Sequence, residues 1–195
     1  ADYATMQHDP MALLMPRLYR DVVWSPTEGI PLYRNIPPVY LQRLRAAFAK
    51  RLELVRRLFA AGAELRVGTD VQQPFVAPGA AVHEERRLLN VAGVPVEDVW
   101  AIAPWKAGAT PRVPGLGRLE DGAPADLLVF RDDPTQSLAA LGTLEAVVAG
   151  GRLYTRADLD AAAAAHRARF DGVVFDRLSV ALTRRVLQHV VTRDY

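Results

Sequence analysis

Asp70 stands where a short apolar run stops. The stretch ELRVGTDVQQPF, residues 64–75, ends its apolar part in Gly68-Thr69-Asp70 and turns into a polar loop holding Pro74. In a parallel β/α barrel, reacting groups sit at the C-terminal ends of strands, where the loops converge. A carboxylate there binds a divalent metal or takes a proton from metal-bound water. An aspartate that merely closes a strand with a turn has the same local pattern. Local sequence leaves both readings open.

Other candidates for chemistry are weaker. His83-Glu84-Glu85 begins like a helical zinc motif, which needs His-Glu-x-x-His, but position 87 is Arg. The two glutamates are better read as carboxylates suited to the first turns of a helix. His8, His166 and His189 form no HxH or HxxxH pair, so the sequence shows no self-contained histidine metal site. GLGRLEDG lacks the third glycine of a dinucleotide loop, since position 120 is Glu, and no strand precedes it. No GxSxG elbow occurs. With no cysteine, disulfides, thiolate metal sites and a cysteine nucleophile are excluded.

The elements that must position Asp70 are legible as patterns. Residues 1–38 are irregular and proline-rich, with a short strand expected over residues 22–24. Residues 39–61 predict an amphipathic helix, because Leu41, Leu44, Phe48, Leu52, Val55 and Phe59 share one face. Gly62 supplies its stop. AELRV, residues 63–67, reads as a strand. Helices follow over residues 80–92 and 95–103, with Val82, Leu88, Leu89 and Ala92 on one face of the first and Pro95 in the first turn of the second. Helix, strand, loop, helix is the cadence of a β/α unit with a parallel sheet. Beyond residue 111 the chain changes to short strands: a buried run over residues 127–130, then a hairpin in LEAVVAGGRLYT around Gly150-Gly151. Asp132-Asp133-Pro134 reads as a turn. Residues 156–169 and 176–191 are helical.

Composition sets the broad class. Half of the 195 residues are hydrophobic and the net charge is +2. Only Lys50 and Lys106 are lysines, and the 22 arginines are scattered among acids rather than gathered in one stripe. That distribution argues against a nucleic-acid surface. No apolar run reaches the roughly 18 residues of a membrane span. The first residue is Ala and no signal pattern opens the chain, so the start reads as a cut, from processing, an imposed boundary or an incomplete gene, with localisation left open.

Three stretches in order carry a resemblance. GTDVQQPFVAPGAAVHEERRLLNVAGVPVEDVWAIAP, then GLGRLEDGAPADLLVFRDDP, then LEAVVAGGRLYT resemble the C-terminal part of the amidohydrolase superfamily, especially its imidazolonepropionase- and prolidase-like branch. The likeness covers about residues 64–160. It implies an α/β fold: the last units of a (β/α)8 barrel over residues 1–110, strands of a composite β-sandwich over 111–155, and a helical tail over 156–195. It implies a metal-dependent hydrolase of C–N bonds in small molecules, with one or two divalent ions, zinc expected. Asp70 matches the family's metal-contacting proton shuttle. Gln72 and Gln73 begin the loop over the site and are candidates to touch substrate. Asp126 matches the Ala-Asp signature and is expected to serve a turn. The family's HxH, its bridging group and its later histidines have no counterpart here, so the chain alone is expected to be inactive. The alternative is a non-catalytic, partner-binding module derived from the same fold. A small-molecule substrate is expected, with neither nucleic acid nor membrane as partner, and assembly into a homo-oligomer is left open.

Overall fold

The helix predicted over residues 39–61 forms as α3, Pro38–Ala60. Its end is built by Gly62 at φ +78°. The Gly62 N–H reaches the Phe59 carbonyl and the Ala63 N–H the Leu58 carbonyl, both at 2.9 Å. Two orphan carbonyls are thereby satisfied, which a residue with a Cβ does less readily at that φ. Leu44, Leu52, Val55 and Phe59 are half-buried as expected, while Leu41 and Phe48 of the same face stay exposed. Outside, Glu53 accepts from both Arg56 and Arg57 at 2.7 Å, and those hydrogen bonds lower its pKa to about 2.

A computed structural model describes residues 3–10, 12–34, 36–71, 73–102, 115–170 and 172–191. Its elements are α1 (Tyr3–Gln7), α2 (Pro31–Arg34), α3, α4 (Ala80–Val91), α5 (Val96–Ala101), β1 (Leu127–Phe130), β2 (Leu144–Ala149), β3 (Arg152–Thr155), α6 (Arg156–Phe170) and α7 (Val173–Val191). Contacts group them into two compact units. One joins Ala1–Ala46, Asp70–Ala81 and Ala162–Tyr195, and the other Ala47–Thr69 and Val82–Ala161. The expected boundary near residue 110 lies outside the described residues.

The second unit has its core in Val94, Val99 and Ile102, all fully buried. Val55 and Phe59 of α3, Leu89 of α4, and Leu138 close over it, together with Leu65 and Val67. Residues 63–70 alternate between half-buried and exposed positions, as a strand does. They are nevertheless not a strand, which corrects the expectation for residues 63–67: among the described residues nothing pairs with this segment in a ladder. Strand conformation needs a neighbour for its backbone groups, and local sequence sets only the alternation.

The sheet is β1-β2-β3, antiparallel throughout, with Val147 opposite Leu128 and Tyr154. The hairpin between β2 and β3 turns at Gly150 and Gly151, φ +56° and +78°, the left-handed pair that a two-residue turn of this hand requires. The Gly150 N–H donates to Asp126 Oδ1 at 2.7 Å, so Asp126 does serve the turn. Asp133 Oδ1 accepts from the Thr135 N–H at 2.8 Å, in the expected turn. The run 127–130 is not buried on both faces, because Leu128 and Val129 are exposed. Among the described residues the three strands make a single sheet; a second layer of a sandwich and a closed barrel are not present.

In the first unit, residues 18–23 correct the expected short strand. Leu18–Val23 coil in a wide helical turn, closed by the Trp24 N–H on the Tyr19 carbonyl at 3.0 Å. The β-branched pair Val22-Val23 favours a strand, but Val22 and Trp24 gain more by burial in this turn. α7 packs on this turn.

Candidate functional site

Asp70 is exposed and adopts φ +47°. Aspartate tolerates the left-handed region better than most residues, so the chain can turn sharply from the extended segment into its loop. Among the described residues its carboxylate makes no hydrogen bond or ion pair. The conformation is that of a turn aspartate, and the open carboxylate is available to an incoming group. Gln73 is exposed, and its carbonyl accepts from the Val76 N–H at 3.1 Å. Gln72 lies outside the described residues.

The loop after Asp70 is held from below by an aromatic cluster that sequence reasoning missed. Phe75, at φ +63°, sits 5.1 Å from Trp24 and 5.7 Å from Tyr3 between ring centroids. Tyr3 donates its hydroxyl to the Arg20 carbonyl at 2.5 Å, and burial raises its pKa. A bulky residue held at positive φ is uncommon, and burial of its ring against two others offsets the strain. A signal was present in the cluster of aromatics at positions 3, 19, 24 and 75, but nothing in their spacing links positions so far apart.

Just before Asp70 the extended segment is fixed within the second unit. Glu85, on α4, accepts the Gly68 N–H with both oxygens, at 3.0 and 3.2 Å. This gives the second glutamate of His83-Glu84-Glu85 a definite structural task. Glu84 instead pairs with Arg87 at 2.6 Å. His83 has its pKa lowered by partial burial and then by the Arg86 charge. Replacing Glu85 by Ala is expected to cost about 0.5–1.5 kcal/mol in urea unfolding, the net worth of a typical hydrogen bond. Amide exchange at Gly68 is expected to speed up with it. Unchanged exchange at Gly68 would show that Glu85 does not hold the segment.

Arg86 was not singled out from the sequence, yet it is 7% exposed. Its guanidinium lies over the Trp100 ring, 4.4 Å from the centroid, and Trp100 in turn meets Phe130 edge-on at 5.6 Å. Burial lowers its pKa. The stack ties α4 and α5 to β1.

Among the described residues no three His, Cys, Asp or Glu side chains gather to hold a metal ion. His166 Nε2 lies 3.2 Å from the Leu14 carbonyl, and His189 Nδ1 is 2.9 Å from the Arg185 carbonyl. A catalytic zinc takes about three protein ligands. Asp70 by itself does not fit such a centre.

No family model matches the chain, and no curated protein matches it. A solved structure does: bottromycin amidohydrolase, with a TM-score of 0.64 and 24% sequence identity. The match covers 85% of this chain and 36% of that one. The chain therefore shares its fold with that neighbour over most of its own length and spans about a third of the neighbour's.

Proposed function

We propose that this chain contributes part of the active site of a hydrolase that cleaves C–N bonds in small molecules of amide, cyclic amide or dipeptide-like type. One observation carries the reading: Asp70, after Gly68-Thr69, ends an extended segment set between two helices, in a chain whose fold is similar to that of an amidohydrolase. The sequence motifs support the imidazolonepropionase- and prolidase-like branch. In this reading the Asp70 carboxylate takes the proton of the attacking water as its oxygen adds to the carbonyl carbon. The resulting carboxylic acid returns the proton to the leaving nitrogen as the C–N bond breaks. Gln72 and Gln73 contact substrate. The divalent ion, zinc in this proposal, depends on ligands from polypeptide outside the described residues, since Asp70 is a single donor.

The rival reading, a partner-binding module of the same fold, is favoured by one feature. Among the described residues, residues 63–70 are strand-like backbone outside any ladder, and such edges invite another chain. The two readings separate in one experiment. The 195-residue chain and the product of the uninterrupted reading frame around it are assayed with zinc on amides, cyclic amides and dipeptides. Turnover is expected only from the longer product. Turnover by the 195-residue chain would defeat its dependence on outside ligands, and inactivity of both would favour the module.

A further inference from the structure

α7 is turned the wrong way round for an ordinary surface helix. Its inward face carries Asp176, which is 4% exposed, and the half-buried Ser179, Val180, Thr183 and Leu187. Its outward face carries Val174, Phe175, Leu178, Leu182 and Val186, every one more than half exposed, with both leucines at 65%. Four of these recur every fourth residue, which places them in one stripe roughly 18 Å long at 1.5 Å per residue. Contiguous exposed apolar surface of this kind marks an interaction site.

The charges beside the stripe define what covers it. The acid of the helix, Asp176, faces inward. Arg184 is held by Glu28 at 2.7 Å. Arg177 and Arg185 lie on one side of the stripe and have no carboxylate partner among the described residues. The other border, Ser179 and Thr183, is uncharged. Two copies of the helix packed antiparallel about a two-fold axis would bring arginine row against arginine row, and a parallel pair would set each row against uncharged hydroxyls. Neither offers complementary charge. A helix lying in a lipid interface keeps the face opposite its apolar stripe toward water, whereas here that opposite face, with Asp176, Val180 and Leu187, packs on protein.

We propose that the outward face of α7 docks an amphipathic helix of a partner protein, whose apolar anchors meet the stripe and whose Asp or Glu residues lie along one border opposite Arg177 and Arg185. The site does not involve Asp70; the further polypeptide that the hydrolytic reading requires is the rival occupant. The proposal is tested on the 195-residue chain by fluorescence anisotropy with a designed helical peptide bearing leucines on one face and glutamates along one border. A second peptide has lysines in place of the glutamates, and vesicles of phosphatidylcholine with phosphatidylserine are a third probe. The glutamate peptide is expected to bind, with affinity lowered at least about tenfold in Leu178→Ser/Leu182→Ser. Arg177→Glu/Arg185→Glu is expected to reverse the preference in favour of the lysine peptide. Circular dichroism checks that the variants stay helical, and if the leucine pair does not, the charge reversal decides alone. The proposal is overturned by absence of binding, by equal affinity for both peptides, by binding to vesicles instead, or by a dimer that the leucine changes abolish. It is also overturned by a longer reading-frame product that no longer binds the glutamate peptide, which would show that the added polypeptide covers the stripe.

Discussion

Under the proposed hydrolytic function, asparagine in place of Asp70 is expected to lower kcat/KM of the longer reading-frame product about 10²- to 10⁴-fold, the usual contribution of a positioned acid–base group. The loss should fall on kcat, because the amide keeps the size and shape of the carboxylate but has no proton-accepting oxygen pair. The backbone makes this a clean test. Asp70 sits at φ +47°, and asparagine tolerates that region as well as aspartate does. The thermal midpoint and circular dichroism should therefore stay unchanged while the rate falls. A β-branched residue separates the alternatives from the other side, since Asp70→Val strains the same turn and lowers stability whether or not the residue is catalytic. Full activity in the asparagine variant would reduce Asp70 to its turn.

The candidate site was legible only where its determinants are local. Gly68-Thr69-Asp70 after an alternating run marks the position of the carboxylate, and the structure keeps the alternation. What surrounds it depends on residues distant in sequence. Phe75 rests on Tyr3 and Trp24, some seventy and fifty positions away, and no periodicity announces that contact. Glu85 reaches the Gly68 amide across a loop and a helical turn. Elements closed by their own chain fared better: Gly62 and Gly93 end α3 and α4 by the same left-handed device, and Gly150-Gly151 makes the hairpin. Pairing did not follow from sequence at residues 63–67, because an edge is satisfied only by another strand. Nor did the orientation of α7, since periodicity identifies an apolar face but not which way it turns.

The open segment and the structural likeness bear on each other. A segment that alternates like a strand, flanked in sequence by helices that pack on its half-buried side, has the order of a β/α unit, and among the described residues no strand pairs with it. The neighbour that shares this fold extends well beyond the matched third of its length. Both observations support the proposal that catalysis requires more polypeptide than the described residues provide. They also explain why a lone carboxylate is consistent with that reading, since a metal centre at the mouth of a barrel draws ligands from several strands.

Truncating Ile102 to Ala is expected to destabilise the second unit by about 2–5 kcal/mol, the range for removing a large aliphatic side chain from a packed interior. Ile102 is fully buried with Val94 and Val99, and these three are the whole buried centre of that cluster. Against a total stability of about 5–15 kcal/mol, the loss is large. Thermal unfolding should show it as a lowered midpoint, and Ile102→Val, which removes one methylene, should cost only about 0.5–1.5 kcal/mol. A truncation as mild as the valine change would mean that the site collapses around the void. The effect also reaches the candidate site through packing. Leu65 and Val67 rest on this same cluster, and their half-buried side chains fix the extended segment that leads to Gly68. Loosening the cluster should therefore raise amide exchange along residues 64–68 ahead of global unfolding. Exchange there that rises no faster than in β2 would show that the segment is held by Glu85 rather than by the apolar core.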